Sequence, residues 1–269
     1  MNKIDHRRHY IIMMDCETAN TLTRADGSLD MSSVFVYDIG WQVTDKHGNL
    51  YEEKSYIVKE IFYGEAQLMK SAYYAKKIPQ YLKEIAEGKR KVATYYEIRK
   101  DFLDTMERYN TNTICAHNAR FDYNANNSTQ RWLTKSKYRY FLPYGVEVWD
   151  TLKMAREVVA NTPSYIKFCE DNGYMTKHKN PRPRLTAEIL YRYISGNMEF
   201  VESHTGLEDV DIERQIMAYC FRKHKPMAKG VWEESRANPP KGFHAYVDWY
   251  FNIAEKNCEA FGGKAYWLD

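Results

Sequence analysis

Cysteine is scarce in this chain of 269 residues, and its five cysteines are scattered. No two of them form a Cys-x-x-Cys pair, which argues against a structural zinc site or a disulfide framework. Long apolar runs are missing too. The apolar run that follows the basic amino terminus covers only residues 10–14 and is too short for a signal-peptide core or a membrane span. The sequence therefore predicts a soluble, cytoplasmic protein that does not contact a membrane.

The chain also lacks a large excess of charge of one sign. Lys and Arg total 39 against 36 Asp and Glu, which gives a net charge of +3 and a pI of about 8.4. This balance argues against a histone-like binder but permits a local basic groove for nucleic acid. A hydrophobic content of 44% is ample for a core, and the chain shows no internal repeat. A globular, enzyme-sized protein is the class that remains.

Two carboxylates end the first apolar run of the chain. Residues 10–17 read Tyr-Ile-Ile-Met-Met-Asp-Cys-Glu, a pattern typical of a buried strand. Because side chains alternate across a strand, Asp15 and Glu17 share one face. Like charges at partly buried positions need a neutralising cation, and a hard divalent metal fits carboxylate oxygens best. The alternative is a strand that simply ends at a polar turn.

The periodicity of the remaining sequence predicts a mixed five-stranded sheet flanked by helices, an α/β fold. The predicted strands cover residues 10–17, 34–43, 50–57, 113–116 and 146–149. Helical segments are predicted at 64–110, with breaks near Pro79 and Gly88, at 125–134, at 163–173 and at 186–194. The first three strands are expected to form a meander.

A third carboxylate, Asp122, follows the fourth predicted strand in the sequence Ala-His-Asn-Ala-Arg-Phe-Asp. It is expected in the strand-to-helix turn, where sheet proteins concentrate their chemistry. An aspartate at this place could equally complement the dipole of the following helix.

A histidine and a fourth carboxylate accompany a late helix start. Thr205 and Glu208 have the spacing of a capping box, which predicts a helix that begins at Thr205. Asp209 then lies about one turn into this helix, at the edge of its buried face, and His204 lies on the loop just before it. A lone exposed histidine is usually a plain surface residue, so the fixed spacing to Asp209 is what makes His204 a candidate.

In order and topology, Asp-x-Glu on the first strand, Asp after the fourth and His-x-x-x-x-Asp at a late helix resemble the three exonuclease motifs of the DEDDh family. The flanking Ile39-Gly40 and Trp149-Asp150-Thr151 also look like family features, and the resemblance covers roughly residues 8–225. It implies a ribonuclease H-like fold and removal of nucleotides from 3′ ends with two divalent metal ions, Mg²⁺ or Mn²⁺.

The resemblance also implies roles for the four carboxylates. Asp15 would bridge both metals. Glu17 and Asp209 would bind the ion that activates water, and Asp122 would support the other ion, mostly through water. Two cations about 3.5–4 Å apart stabilise the attacking and leaving oxygens of a phosphodiester, which is why the chemistry needs this many acids.

The same resemblance makes His204 the general base that takes the proton from the attacking water, with a 5′-mononucleotide as the product. Thr18, Asn118 and Phe121 are expected to contact the terminal nucleotide. One departure from the family lies next to them: Thr18-Ala19-Asn20 stands where the family often has Thr-Thr-Gly, and a longer polar loop follows, up to Ser33.

Two segments, residues 130–141 and 174–184, mix cations with aromatic residues. Such mixtures suit single-stranded nucleic acid, although core aromatics and a solvated Lys-rich loop would look the same. We expect single-stranded DNA, favoured over RNA, in proofreading or DNA repair. Three alternatives stay open: an exoribonuclease that trims RNA or short oligonucleotides, a non-catalytic nucleic-acid-binding or assembly subunit, and an enzyme that cleaves small signalling nucleotides.

Residues 1–230 are predicted to form the exonuclease domain, and residues 231–269 a C-terminal extension. The extension is interrupted by Asn-Pro-Pro-Lys-Gly at 238–242 and is predicted to continue as a helix over about residues 244–261. Packing on the core is the expectation. Contact with a second copy in a homodimer and docking on a polymerase are the alternatives.

Overall fold

The protein was analysed as a computed structural model that describes residues 4–20, 26–27, 30–72, 75–134 and 140–234. The predicted helix at 244–261 lies outside the described residues, as does nearly all of the C-terminal extension. Residues 135–139, in the middle of the first cationic and aromatic segment, also lie outside them.

Six strands form one sheet in the described part of the chain. They are β1 (Ile11–Asn20), β2 (Val34–Thr44), β3 (Leu50–Val58), β4 (Lys91–Ala93), β5 (Thr113–Ala116) and β6 (Glu147–Asp150). The strand order is β4-β3-β2-β1-β5-β6. The antiparallel meander predicted for the first three strands is confirmed, and the other three pair in parallel with their neighbours.

The predicted count of five strands is wrong because β4 falls within the helical segment predicted at 64–110. This strand has three residues, too few to show an alternating pattern, and it forms by parallel pairing with the end of β3. The predicted breaks near Pro79 and Gly88 are confirmed, because one helix spans Ile78–Ala86 between them. Pro79 lies in its first turn, where its missing N–H costs nothing.

Helices cover both faces of the sheet. They are α1 (Lys59–Phe62), α2 (Ala66–Ser71), α3 (Ile78–Ala86), α4 (Tyr95–Arg108), α5 (Arg120–Leu133), α6 (Thr151–Val158), α7 (Pro163–Asp171), α8 (Ala187–Ser195) and α9 (Gly206–Arg222). Short 3-10 turns cover Met31–Ser33 and Ala75–Lys77. The helices predicted at 163–173 and 186–194 are confirmed as α7 and α8. Pro163 is the first residue of α7, and Gly196, with φ of +71°, ends α8 in the left-handed conformation. Among the described residues, no helix has the length and apolarity needed to cross a bilayer.

The alternation of β1 separates two hydrophobic cores, one on each face of the sheet. Ile12, Met14 and Cys16 belong to the first core, and Ile11 and Met13 to the second. The carboxylates at positions 15 and 17 continue the row of the second core, so they face the helices packed there, including α9. A slip of one residue in register would turn them into the first core, and burial of the apolar residues, about 1.5–3 kcal/mol for each large side chain, prevents it.

The last described residues pack on this domain. The Val231 N–H donates to the Val148 carbonyl at 2.8 Å, and the Trp232 ring meets Tyr123 edge to face with centroids 5.2 Å apart. The domain boundary at residue 230 stays a prediction.

Candidate active site

Helix α9 begins directly against the sheet, and two glycines make this close approach possible. A Cβ at Gly40 would lie 2.5 Å from the Leu207 nitrogen, and a Cβ at Gly206 would lie 2.9 Å from the Gly40 nitrogen. No other residue type fits at Gly40 without displacing the backbone of the helix. The contact brings Asp209, 5% exposed, over the face of β1 that carries Asp15 and Glu17.

The predicted start of this helix is confirmed, but the predicted capping box is wrong. Thr205 is the N-cap and α9 begins at Gly206. The Thr205 hydroxyl donates to the Glu208 carboxylate instead of accepting a backbone N–H. The Gly206 N–H donates to Asp38 Oδ2 at 3.0 Å. A carboxylate from β2 therefore takes over the capping role, and the helix start is bound to the sheet.

Asp38 is fully buried and belongs to a polar network that the sequence did not reveal. Its carboxylate accepts from Arg90 Nη1 at 3.1 and 3.3 Å and from the Tyr81 hydroxyl at 3.0 Å. Arg90 Nη2 also donates to Glu208 Oε2 at 2.9 Å. Burial raises the pKa of Asp38, while the Arg90 charge lowers it. The network fixes the loop that carries His204 relative to β1.

The structure brings all four predicted carboxylates together. Asp122 lies in the first turn of α5, which begins at residue 120 and not at 125 as predicted, and its side chain is 3% exposed. Asp15, Glu17, Asp122 and Asp209 line one cleft with a volume of about 1460 Å³, together with His204. Ligand atoms of Glu17, His204 and Asp209 lie within 4.8 Å of one another.

Burial, followed by like charge at three of the four acids, raises the pKa values of the carboxylates in the cleft. Burial, followed by the charge of Asp122, raises the pKa of Asp15 well above its ordinary range. Burial and Asp15 raise the pKa of Glu17 to about 10 and that of Asp209 to about 9. Burial raises the pKa of Asp122 to about 8. Each acid is thus held by its surroundings in a state that favours protons or cations over bare charge.

His204 lies at the edge of this acidic group, in a left-handed conformation with φ of +52°. Burial, followed by the charge of Lys77, lowers its pKa. Nδ1 of His204 is 3.8 Å from Glu202 Oε2, and burial raises the pKa of Glu202 to about 6. At neutral pH the ring is neutral and can accept a proton, and the Glu202 carboxylate stabilises the ring once it is protonated.

The loop after β5 shapes the floor of the cleft. The His117 Nε2 donates to the Leu185 carbonyl at 2.8 Å, and Nδ1 lies 2.8 Å from the Thr151 hydroxyl, so the ring connects this loop to two other segments. Asn118, with φ of +62°, and Phe121 line the cleft, where the predicted contacts to a nucleotide were expected. Thr18 follows Glu17 at a β-bulge and is not among the described residues that line it.

Cations line the other end of the cleft. Arg156 on α6 and Arg182 and Arg184 before α8 are part of its wall, which connects the second predicted cationic segment to the acids. Lys177 and Lys179 of that segment are not part of the wall that the described residues form. The same holds for the described residues of segment 130–141, where Trp132 instead packs on Phe35 with ring centroids 5.2 Å apart.

The donor set fits divalent metal ions. Asp122 Oδ1 is buried and has no hydrogen-bond partner among the described residues. Burial raises the pKa of all four carboxylates, so the ionised form of each needs a cation near it. Carboxylate oxygens are the ligands that Mg²⁺ and Mn²⁺ prefer.

Comparison with known proteins finds the same fold. No protein-family model and no curated protein sequence matches the chain. Among solved structures it is similar to a full-length 3′-exonuclease, with a TM-score of 0.52, 12% identity, and coverage of 87% of this chain and 96% of that one. The nuclease domain of 3′hExo, a DEDDh family member bound to rAMP, aligns with a TM-score of 0.49, 12% identity and coverage of 85% and 98%. Exonuclease I of E. coli, in complex with a 5cy-dT13 oligonucleotide, aligns with a TM-score of 0.47, 16% identity and coverage of 81% and 41%.

Proposed function

We propose that this chain is a divalent-metal-dependent 3′-to-5′ exonuclease that releases 5′-mononucleotides from the 3′ end of single-stranded DNA. The observation that carries the proposal is the meeting of Asp15, Glu17, Asp122 and Asp209 in one cleft with a neutral histidine at its edge. These are the residues that resemble the DEDDh motifs, and the shared fold with a 3′-exonuclease supports their assignment.

Asp15, Glu17, Asp122 and Asp209 would hold the metal ions. Two bound cations would supply charge stabilisation for the attacking and leaving oxygens of the phosphodiester. His204 accepts the proton of the attacking water, an assistance worth about 10²- to 10⁴-fold in rate. Glu202, at 3.8 Å from Nδ1, stabilises the protonated ring.

The lining of the cleft supports a single-stranded substrate. Phe121 offers a partly exposed ring beside Asp122, on which the terminal base can stack for about 1–3 kcal/mol. Arg156, Arg182 and Arg184 line the same cleft and would contact the preceding phosphates. Base stacking and phosphate contacts tolerate any sequence, as an enzyme that digests a strand stepwise requires.

The experiment is digestion of matched DNA and RNA single strands labelled at the 5′ end. The proposal predicts a ladder of products shortened from the 3′ end, no products in EDTA, and loss of at least about 10²-fold in rate for Asp15→Asn. Asp171→Asn, a change in an exposed ion pair with Lys167, is the control and should leave the rate unchanged.

Three results would contradict the proposal: no release of mononucleotides from either strand, equal rates for Asp15→Asn and the parent, or release from the 5′ end. Faster digestion of RNA than of DNA would overturn the DNA preference and leave the nuclease assignment in place.

A further inference from the structure

Another buried carboxylate of the cleft, Glu213, has no part in the chemistry described so far. Glu213 lies on α9 four residues after Asp209, so both side chains project from the same face of the helix. Its side chain is 3% exposed and lines the same cleft as Asp15 and Asp122.

Only one of the two Glu213 oxygens is satisfied. The backbone N–H of His117 donates to the carboxylate. The other oxygen, Oε2, is buried and has no hydrogen-bond partner among the described residues. A protonated carboxyl would need an acceptor at this place, and an ionised one would need a cation, because a buried charge without a partner is costly.

Glu213 shares the wall of the cleft with Asp15, Asp122 and Asp209. Burial, followed by the charges of these three acids, raises the pKa of Glu213. Asp122 Oδ1 is also without a hydrogen-bond partner among the described residues. Two open carboxylate oxygens therefore lie near Asp15, in addition to the group that Glu17, His204 and Asp209 form.

We propose that Glu213 is an additional carboxylate of the cation site and holds the ion beside Asp122. This inference rests on the proposed function, since it assumes that the cleft binds two divalent ions. The DEDDh resemblance leaves Asp122 to support that ion mostly through water. Glu213 adds a second acidic residue on the same side, so the protein binds both ions before any substrate phosphate arrives.

The test is Mn²⁺ binding to the full chain without nucleic acid, measured by calorimetry and by electron paramagnetic resonance, which detects two coupled Mn²⁺ ions directly. We expect two ions for the parent. We expect Glu213→Gln to retain the first ion and to bind the second at least about tenfold more weakly, with loss of the coupled signal. Asp211→Asn removes one negative charge from the same helix outside the cleft, where Asp211 pairs with Arg214, and should behave like the parent.

The inference is overturned if the parent binds fewer than two Mn²⁺ ions, or if Glu213→Gln binds both as the parent does. If Glu213→Gln fails to fold, Glu213→Asp decides in the same way, because it keeps the charge and withdraws the oxygen by one methylene. Strand digestion by the parent is measured in parallel. If the parent digests the strand and the variant binds Mn²⁺ as the parent does, only the role of Glu213 is refuted. If the parent does not digest the strand, the nuclease function is refuted.

Discussion

Replacement of Asp209 by asparagine should stabilise the metal-free protein at alkaline pH. The pKa of this carboxyl is raised to about 9 by burial and by the charge of Asp15, whereas an unfolded aspartate has a pKa of about 3.9. A group with a raised folded-state pKa contributes stability that is fully present below its unfolded pKa and is lost as the pH rises through the folded pKa. The parent in EDTA should therefore lose stability between about pH 4 and pH 9.

The size of the effect follows from the linkage relation. One pKa unit corresponds to about 1.4 kcal/mol. Because Asp15, Glu17 and Asp209 share their protons, we assign about 3 kcal/mol to this one site, which is about two units. For a protein of this size, 1 kcal/mol shifts Tm by about 2–4 °C, so Asp209→Asn should melt about 6–12 °C above the parent near pH 9 in EDTA.

Thermal melts in EDTA and in saturating Mn²⁺ measure this directly. In Mn²⁺ the order should reverse, because the parent gains stability from bound ions and the variant gains less. Asp211→Asn is the control, since its carboxylate lies half exposed in an ion pair with Arg214 and contributes at most about 1 kcal/mol. A parent Tm that does not change with pH in EDTA, or a variant that melts below the parent at every pH, would refute the reasoning.

Three further predictions concern activity and packing. His204→Ala should lower kcat/KM by about 10²- to 10⁴-fold. It should also remove the rise in rate with pH that the parent shows below pH 6.5, because the pKa of His204 is lowered from 6.5. A loss below tenfold with the same pH profile would assign the proton to another group. Gly40→Ala should cost about 2–3 kcal/mol in the free energy of unfolding, since its Cβ would lie 2.5 Å from the Leu207 nitrogen; chemical denaturation checks this, and an unchanged midpoint would contradict it. The double variant Arg182→Ala, Arg184→Ala should have a higher KM for single strands. The slope of log affinity against log salt concentration should become less steep by about 1.4. An unchanged slope would show that neither residue contacts a phosphate.

The sequence was sufficient for the parts of the site that depend on local pattern. The period-two alternation placed Asp15 and Glu17 on one face of β1, and the spacing after Thr205 located the start of α9. The contacts that hold these parts together are not local. The alternation of Tyr37, Ile39 and Trp41 places Asp38 on the polar side of β2, yet every residue of β2 is buried, because α9 covers the second face of the strand.

Residues that contribute through tertiary contacts were missed for the same reason. β4 is a strand only through its pairing with β3. Arg90, which pairs with Asp38, has no local signal at all. Glu213 did have one, since it follows Asp209 by four residues on a helix face with Ile212 and Ile216. A carboxylate at a buried helical position, next to a candidate ligand, was the sign that could have identified it.

The most direct test of a metal site in this cleft is a crystal structure of the full chain soaked in Mn²⁺, with data collected at the manganese absorption edge. We expect anomalous peaks among Asp15, Glu17, Asp122 and Asp209, with the His204 ring at the edge of the site. A map with no anomalous peak between these carboxylates, or a structure in which the four acids do not lie in one site, would contradict the metal-dependent mechanism.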